Sequence, residues 1–544
     1  MKTEYIRSYP DSPNEEGLIK AAEIIKSGGL VAFPTETVYG LGGSALDPDS
    51  AKKIYAAKGR PSDNPLIIHL YEAKEAENYA YTNEIYYKIT DKFSPGPITV
   101  ILPKKDVVPY EVTGGLDTVA IRIPSHPTAR EFIRLCGVAV AAPSANLSGS
   151  PSPTCADHVR ADLDGRIDML IDGGQCDIGL ESTIVKITED GVTILRPGAI
   201  TEEMLSAVAK VNRDKTLLSK PSSDFRPEAP GMKYRHYAPA ADVYLVRGAH
   251  DDVIEYMKQR LEEDESAGIV CTDADKDKIS GRNVIYLPND ANGQARSVFD
   301  ALRSFNGTDA KRIYCITPSR VGIGFALYNR LLKASGFKHV GATVPIPVIG
   351  LTGQSGAGKS TAAKAFADAG AYVADCDKTY ASLLYKNSPL IKELKKAFPT
   401  VIKHGLLDRA ALSKIVFSDK EKLALLNKIT HKVILDDVRA QLKRAYKDGY
   451  RLAAVDASQL FEAAFDRECT AVIGVCAAEE TRIKRIMIRD NITEAQAKAR
   501  LGSQHNEDFF RVYCDVTLDN DGTEKELYDK AFALAKEYAK GEEL

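Results

Sequence analysis

Residues 353–360 carry the feature that most restricts the fold of this chain. They read Gly-Gln-Ser-Gly-Ala-Gly-Lys-Ser and match the phosphate-binding pattern G-x-x-x-x-G-K-S. The apolar run 348–352 before them predicts a strand, and residues 361–369 after them predict a helix. Glycines let such a loop turn its N–H groups toward phosphates, and the helix adds its positive end. The C-terminal third is therefore predicted to be an α/β domain that binds a nucleoside triphosphate.

Within this loop the side chains have distinct predicted roles. Lys359 would reach the β- and γ-phosphates, and the Ser360 hydroxyl would bind Mg²⁺. The predicted nucleotide-binding residues are Gly353, Gly356, Ala357, Gly358, Lys359, Ser360 and Thr361.

The composition is that of an ordinary globular protein. The 544 residues predict about three or four domains, and the net charge of −3 gives no general attraction for nucleic acid. Stable nucleic-acid binding is therefore not predicted. The start of the chain lacks a signal-peptide core, and no run approaches the roughly 18 apolar residues of a membrane span. Nine cysteines without a Cys-x-x-Cys pair indicate reduced thiols. These features predict a cytoplasmic protein.

Four segments follow from the pattern of strands, helices and turns. Residues 1–212 alternate short β-rich runs with helical stretches, which predicts an α/β domain. Residues 213–240 are polar and rich in proline and basic residues, as in a linker. Residues 241–342 predict a small parallel α/β accessory domain, and residues 345–544 contain the phosphate-binding loop.

A carboxylate near the phosphate-binding loop is the candidate general base. The strand-like run 371–374 leads into Asp375-Cys376-Asp377. A carboxylate at the end of a strand beside such a loop is well placed to accept a proton from a hydroxyl. Asp377 is the predicted base, and an acid that only caps a helix is the alternative.

Further motifs follow in order. They are Gly-Leu-Leu-Asp-Arg at 405–409, Leu-Asn-Lys-Ile-Thr-His at 426–431, Leu-Phe-Glu at 460–462, Arg485 with Arg489, Arg500 with Gln504, and Asp-Asn-x-Gly at 519–522. With residues 349–353, this series resembles dephospho-CoA kinase over residues 347–540. The resemblance implies a parallel sheet with a helical lid and ATP-dependent phosphorylation of the 3′-hydroxyl of dephospho-CoA. It also implies that Arg485 and Arg489 bind ATP in or near the lid.

Three residues depart from that family pattern. Ser458 and Gln459 precede Leu-Phe-Glu where the family usually has Pro and Leu, and Ala381 stands where a basic residue is common. These positions lie near the expected acceptor pocket. A nucleotide-binding pseudokinase, or a kinase for another small hydroxylated acceptor, therefore stays open.

Cations and small polar residues recur in the N-terminal domain. Lys58 and Arg60 flank Gly59, and the turn at 142–149 contains Ser144 and Asn146. The segment 33–42 is a strand end followed by a polar loop with glycines. Two cations with Ser and Asn donors suit a polyphosphate.

The order of these segments carries a second resemblance. Together with motifs at 64–66, 95–99, 195–198 and 229–239, they resemble the threonylcarbamoyl-AMP synthase family over residues 5–340, in its long form with an accessory domain. The resemblance implies a twisted mixed-sheet domain with a large basic cavity. Its reaction joins L-threonine, bicarbonate and ATP into threonylcarbamoyl-AMP and pyrophosphate, for modification of tRNA adenosine.

Site residues follow from position in that family. Lys58, Arg60, Ser144 and Asn146 would hold the triphosphate as the catalytic set, with Mg²⁺ carried by the nucleotide. The remaining ATP-site residues would be Asn64, Thr118, Thr154 and Arg196, with Arg235, His236 and Tyr237 of the linker as a cover. Threonine or its carbamate would contact Thr35, His69, Arg122 and Ser182.

The sequence thus predicts a bifunctional enzyme with ATP and Mg²⁺ at both sites. Its predicted partners are L-threonine, ATP, dephospho-CoA and downstream tRNA-modification transferases. In the alternative, the front domain is mainly an RNA-binding module and the kinase domain senses nucleotide without turnover.

Overall fold

The computed structural model describes residues 2–189, 191–218, 225–233, 236–416, 419–502 and 504–540. No helix within these ranges is both long enough and apolar enough to span a bilayer. The chain divides into two units. The first comprises Met1–Leu245 and Ile254–His339, and the second comprises Val246–Val253 and Val340–Leu544.

An 11-stranded sheet organises the N-terminal domain, in the order β1-β8-β2-β3-β7-β4-β6-β5-β9-β10-β11. The sheet contains both parallel and antiparallel pairs: β4 runs parallel to β6 and antiparallel to β7. This confirms the predicted mixed sheet. The strands are β1 (Glu4–Arg7), β2 (Val31–Phe33), β3 (Gly40–Ser44), β4 (Ile67–His69), β5 (Ile98–Pro103), β6 (Thr118–Arg122), β7 (Val140–Ala142), β8 (Met169–Asp172), β9 (Thr183–Thr188), β10 (Gly191–Arg196) and β11 (Val211–Arg213).

Seven helices accompany this sheet within the described residues, and the second of them positions two site residues. Asp47 caps its start, Pro48 is its first residue, and Gly59 ends it with φ of 61°. This left-handed turn favours glycine, and it places Lys58 and Arg60 on either side of the helix end. The helices are α1 (Glu15–Lys26), α2 (Pro48–Lys58), α3 (Glu84–Phe93), α4 (Tyr110–Thr113), α5 (Pro127–Cys136), α6 (Ala156–Leu163) and α7 (Glu202–Ser206).

The accessory domain has a five-stranded sheet in the order β14-β13-β15-β12-β16, and β13 runs parallel to both neighbours. The last of its helices is buried on all sides. Its core includes Leu180 and Tyr237 from the N-terminal part of the chain. The elements are β12 (Asp242–Arg247), α8 (His250–Glu263), β13 (Ala267–Thr272), β14 (Val284–Leu287), α9 (Ala291–Ser304), β15 (Arg312–Ile316), α10 (Ile323–Ser335) and β16 (His339–Gly341).

The second unit is built on a parallel sheet in the order β18-β21-β17-β22-β23. Its strands are β17 (Val348–Gly353), β18 (Tyr372–Asp375), β21 (Ala453–Asp456), β22 (Ala471–Cys476) and β23 (Val516–Asp519), and β19 (Ile402–Lys403) with β20 (Leu406–Leu407) forms a separate hairpin. Its helices are α11 (Lys359–Asp368), α12 (Cys376–Ser382), α13 (Pro389–Ala397), α14 (Arg409–Val416), α15 (Lys420–Lys447), α16 (Glu479–Asp490), α17 (Glu494–Leu501), α18 (Glu507–Tyr513) and α19 (Glu524–Ala539).

This arrangement confirms the predicted parallel α/β domain. Helices α16 and α17 share a small apolar cluster of Ile483, Ile486, Ala497 and Leu501, as expected for a helical lid. The carboxyl ends of β17, β18 and β21 meet at one edge of the sheet. Ligands of open parallel sheets bind at that edge.

Candidate active sites

A cavity lies beside β3, β4, β6 and β7 of the first unit. Pro230, Gly231, His236 and Tyr237 of the linker contribute to its wall. Ten predicted site residues line the cavity: Thr35, Lys58, Arg60, His69, Arg122, Ser144, Asn146, Arg196, His236 and Tyr237.

Lys58 points into the cavity from the end of α2. Its ammonium donates to the carbonyl oxygen of Ser144 at 2.5 Å and to the carbonyl oxygen of Asn146. The side chain is buried, so the pKa of Lys58 lies well below its usual value, and the nearby Arg60 lowers it further. A bound anion would restore the charged form.

Three guanidinium groups accompany that lysine. Arg60 donates to the carbonyl oxygens of Asn64 and Pro65, and burial lowers its pKa to about 10. Burial likewise lowers the pKa of Arg196 to about 10. With Lys58 and Arg122, they bring four basic side chains to one cavity, three of them buried and Arg60 partly exposed, which favours a multiply charged anion.

Arg122 is anchored at one side only. Its Nη2 donates to Glu36 Oε1 at 2.7 Å and to Thr37 Oγ1 at 2.8 Å, and a longer contact of 3.4 Å reaches Thr35 Oγ1. Its Nε is buried and has no hydrogen-bond partner among the described residues. An unpartnered buried donor is costly unless a ligand accepts from it.

His69 is neutral in this setting. It packs edge-on against Phe33, and its Nδ1 donates to the carbonyl oxygen of Ile67 at 3.0 Å. Burial lowers its pKa to about 3, and Arg122 adds to that effect. His69 can therefore offer a polar contact without adding positive charge at neutral pH.

The second unit presents its phosphate-binding loop between β17 and α11. Gly353, Gly356 and Gly358 all have positive φ angles, of 134°, 78° and 108°. Residues other than glycine rarely adopt such φ angles, which accounts for the glycines of the motif. Lys359 Nζ donates to Asp456 Oδ1 at 3.1 Å and to Ser458 Oγ at 2.9 Å.

Two pockets flank this loop. Ser360, Asp375 and Asp456 line the first, and burial raises the pKa of Asp456 despite the neighbouring Lys359. Asp377 lines the second, together with Ser458, Gln459 and His431. In that second pocket, His431 Nε2 lies 2.9 Å from Gln459 Oε1.

Two arginine side chains of α16 contact the phosphate-binding loop. Arg485 donates to the carbonyl oxygens of Gly356 and Asn520, at 3.4 and 3.2 Å. Arg489 Nη2 lies 3.5 Å from Ser355 Oγ and also pairs with Asp490. The predicted pair is thus adjacent to the loop in this structure.

Comparisons with known proteins cover nearly the whole chain. Family models match at residues 23–198 (telomere recombination), 200–336 (threonylcarbamoyl-AMP synthase, C-terminal domain) and 347–526 (dephospho-CoA kinase). The threonylcarbamoyl-AMP synthase of Pyrococcus abyssi is 44% identical over 329 residues, covering 59% of this chain and 94% of that protein. The dephospho-CoA kinase of Syntrophotalea carbinolica is 34% identical over 189 residues, covering 34% of this chain and 90% of that protein.

A solved structure agrees with the first match. The crystal structure of P. abyssi Sua5 complexed with L-threonine aligns with a TM-score of 0.59 and 40% identity, covering 63% of this chain and 99% of that one. The chain belongs to both the threonylcarbamoyl-AMP synthase and the dephospho-CoA kinase families. It is an enzyme with a synthase part, matched over residues 23–198 and 200–336, and a kinase part, matched over residues 347–526.

Several predicted residues of the synthase part do not line its cavity. Ser182 lies behind it, bonded to Thr99 Oγ1 at 2.7 Å and to Arg196 at 3.1 Å. The backbone carbonyl oxygen of Asn64 accepts a hydrogen bond from Arg60. Thr118 is the first residue of β6, and the backbone N–H of Thr154 donates to His158 Nδ1. Arg235 lies outside the described residues, so its predicted role stays a prediction.

Sequence reasoning missed two carboxylates of the synthase part. Glu36 pairs with Arg122, and Glu181 lines the cavity. Glu36 belongs to the polar segment 33–42, but the local sequence does not show that it pairs with an arginine 86 positions away. Glu181 had no local signal beyond its place before Ser182.

The three residues of the kinase part that depart from the family pattern differ in where they lie. Ser458 and Gln459 line the pocket of Asp377, whereas Ala381 is an exposed residue of α12 outside the residues that line it. Within the described ranges, no group of three or more His, Cys, Asp or Glu side chains is arranged to hold a metal ion.

Proposed function

We propose that the synthase part converts L-threonine, bicarbonate and ATP into threonylcarbamoyl-AMP, pyrophosphate and water. We propose that the kinase part transfers the γ-phosphoryl group of ATP to the 3′-hydroxyl of dephospho-CoA. The observation that carries the first proposal is the set of four basic side chains around one cavity, one of which, Arg122, has a buried donor with no partner among the described residues.

Arg122 is the proposed receptor for the threonine carboxylate. Its unpartnered Nε can donate to a carboxylate oxygen, while Nη2 stays fixed on Glu36 and Thr37. Charge-assisted hydrogen bonds of this kind are roughly twice as strong as neutral ones. Thr35 and His69 line the same wall and would contact the amino acid or its carbamate.

The chemistry then needs alignment and charge neutralisation rather than a covalent nucleophile. The threonine nitrogen and bicarbonate first form a carbamate and release water. An oxygen of this carbamate then attacks the α-phosphorus of ATP, and pyrophosphate leaves. Lys58 and Arg60 would hold the triphosphate and balance the charge that develops on the leaving group. Ser144 and Asn146 line the cavity beside Lys58 and would orient the phosphates.

The linker is the proposed cover of this site. Pro230, Gly231, His236 and Tyr237 of the linker line the cavity. A linker held over bound ATP would exclude water from the acyl-phosphate product.

In the kinase part, Asp377 is the proposed base and Lys359 the phosphate ligand. Ser360, Asp375 and Asp456 offer oxygen ligands in one pocket and would hold Mg²⁺. When bound, that ion would supply positive charge that offsets the charge of the phosphates. Arg485 and Arg489 would approach the transferred group as the lid closes.

A different hydroxylated acceptor is the second candidate for the kinase part. It is favoured by Ser458 and Gln459, which make the wall of the Asp377 pocket more polar than the family pattern. Restoring that pattern with Ser458→Pro and Gln459→Leu is expected to lower the KM for dephospho-CoA. An unchanged or higher KM would favour an acceptor that the polar wall recognises.

Two reactions test these proposals on the full-length protein. One supplies ATP, threonine and bicarbonate and measures pyrophosphate, and the other supplies ATP and dephospho-CoA and measures CoA. Asp377→Asn is expected to abolish CoA formation and leave pyrophosphate release unchanged. If the wild type releases no pyrophosphate that depends on threonine, the synthase proposal is wrong. If it forms no CoA from dephospho-CoA and ATP, the kinase proposal is wrong.

A further inference from the structure

Arg330 of the accessory domain contacts a residue in the wall of the synthase cavity. It lies on α10 and is 1% exposed. Its Nε donates to Glu181 Oε2 at 2.7 Å, and its Nη2 donates to the carbonyl oxygen of Pro197 at 2.9 Å. Nη1 donates to Asn329 Oδ1 at 2.9 Å. Each guanidinium nitrogen therefore makes a hydrogen bond, and the partners lie in both domains.

The same guanidinium lies against the linker. Its central carbon is 5.4 Å from the ring centre of Tyr237, which stacks on Phe299 of α9 at 5.3 Å. Tyr237 has φ of 65°, a strained backbone angle for a bulky side chain. Such a conformation persists only where surrounding contacts fix it. Two of those contacts come from the accessory domain.

Glu181 gives Arg330 a second role. Its buried carboxylate lines the cavity and accepts a hydrogen bond from Ser152 as well as from Arg330. A bare carboxylate beside a triphosphate would repel it in a low-dielectric site. Although burial works to raise the pKa of Glu181, Arg330 and Arg196 outweigh it and keep the group ionised.

We infer that Arg330 is a positioning residue for ATP binding, because it neutralises Glu181 at the cavity wall and fixes Tyr237 in the cover. The accessory domain thereby completes the ATP site from a distance, in addition to packing against the synthase domain. This inference rests on the proposed synthase function.

Arg303 provides a matched control. It lies on α9 of the same domain, is buried, and pairs with Asp162 of the synthase domain at 2.8 Å. Its Nη2 also donates to the carbonyl oxygen of Pro151. Arg303 therefore has the same kind of bridge across the same interface, but neither it nor Asp162 lines the cavity. Loss of domain docking would affect both variants, whereas loss of ATP positioning would affect only one.

The experiment compares full-length wild type, Arg330→Met, Arg330→Lys and Arg303→Met. Pyrophosphate release gives kcat and the KM for ATP, and calorimetry gives the affinity for ATP without turnover. We expect Arg330→Met to weaken ATP binding at least tenfold in both measurements, with kcat changed less than threefold. Arg330→Lys should recover part of the loss, since it restores the charge beside Glu181 but not the bond to Pro197. Arg303→Met should stay within about twofold of the wild type in both measurements.

A double variant separates the two roles of the arginine. Glu181→Gln combined with Arg330→Met leaves no stranded carboxylate, so ATP affinity should return part of the way toward the wild type. Equal ATP affinity in wild type and Arg330→Met, or an equal loss in Arg303→Met, would overturn the inference. A wild type that binds ATP but releases no pyrophosphate would instead overturn the proposed function, while the calorimetric comparison would still decide the role of Arg330.

Discussion

Replacing Arg122 with glutamine should separate the structural and the binding roles of one side chain. Arg122 and Glu36 form a buried ion pair at 2.7 Å, with side-chain exposures of 5% and 7%. In Arg122→Gln, the donor to Glu36 that remains among the described residues is the backbone N–H of Ser125. Breaking a buried pair by removing one partner costs about 3–5 kcal/mol. The free energy of unfolding of the synthase part should fall by about that amount.

The same change should weaken threonine binding. A hydrogen bond from a charged donor contributes about 1.5–3 kcal/mol. Since about 1.4 kcal/mol corresponds to a tenfold change in affinity, the KM for threonine should rise roughly 10- to 150-fold. The KM for dephospho-CoA in the kinase part should not change.

A second variant distinguishes the two effects. Arg122→Gln with Glu36→Gln removes the stranded charge, so most of the stability should return, but the lost donor should still weaken threonine binding. Calorimetric unfolding and pyrophosphate release measure the two quantities in the full-length protein. A wild-type KM for threonine in the double variant would refute the assignment of Arg122 as the carboxylate receptor. A loss below about 1 kcal/mol in Arg122→Gln would refute the estimate for the buried pair.

The remaining predictions concern charge and pH. Lys359→Ala should abolish CoA formation and spare pyrophosphate release, and Lys58→Ala should do the reverse; loss of both activities from either change would contradict two separate sites. Burial lowers the pKa of Lys58 and bound phosphate would raise it, so ATP binding to the synthase part should take up protons at Lys58 at a pH between those two values. Calorimetry in buffers of different ionisation enthalpy should show this uptake, and its persistence in Lys58→Ala would contradict the assignment. His69 and His236 both have a pKa of about 3 because of burial, below the unfolded value near 6.5. The unfolded state then binds protons first as pH falls, so each should reduce stability by about 1.4 kcal/mol per pH unit from about 6.5 downward. Chemical denaturation of the full-length protein at pH 7.5 and 5.5 measures this loss, and equal stability of the synthase part at both would contradict it.

The phosphate-binding loop was predictable because its determinants are contiguous. Eight residues, a preceding strand and a following helix contain the whole local geometry, including the positive φ angles of the three glycines. The ordered motifs similarly predicted the kinase and synthase families, the mixed sheet and the parallel sheet. The family pattern also placed Ser458 and Gln459 near the expected acceptor pocket, and they line one pocket with Asp377.

The sequence by itself therefore determined the two families, the fold classes and most side chains of both candidate sites. Only the tertiary structure decided which of those side chains share a cavity, because the contacts are long-range. The Glu181–Arg330 pair joins residues 149 positions apart, and no local periodicity records such a contact. Charge state was also a tertiary property, since burial sets the pKa of Lys58 and His69. The sequence identified the site side chains, whereas packing determined which partners they contact, what charge they have and which linker residues line the synthase cavity.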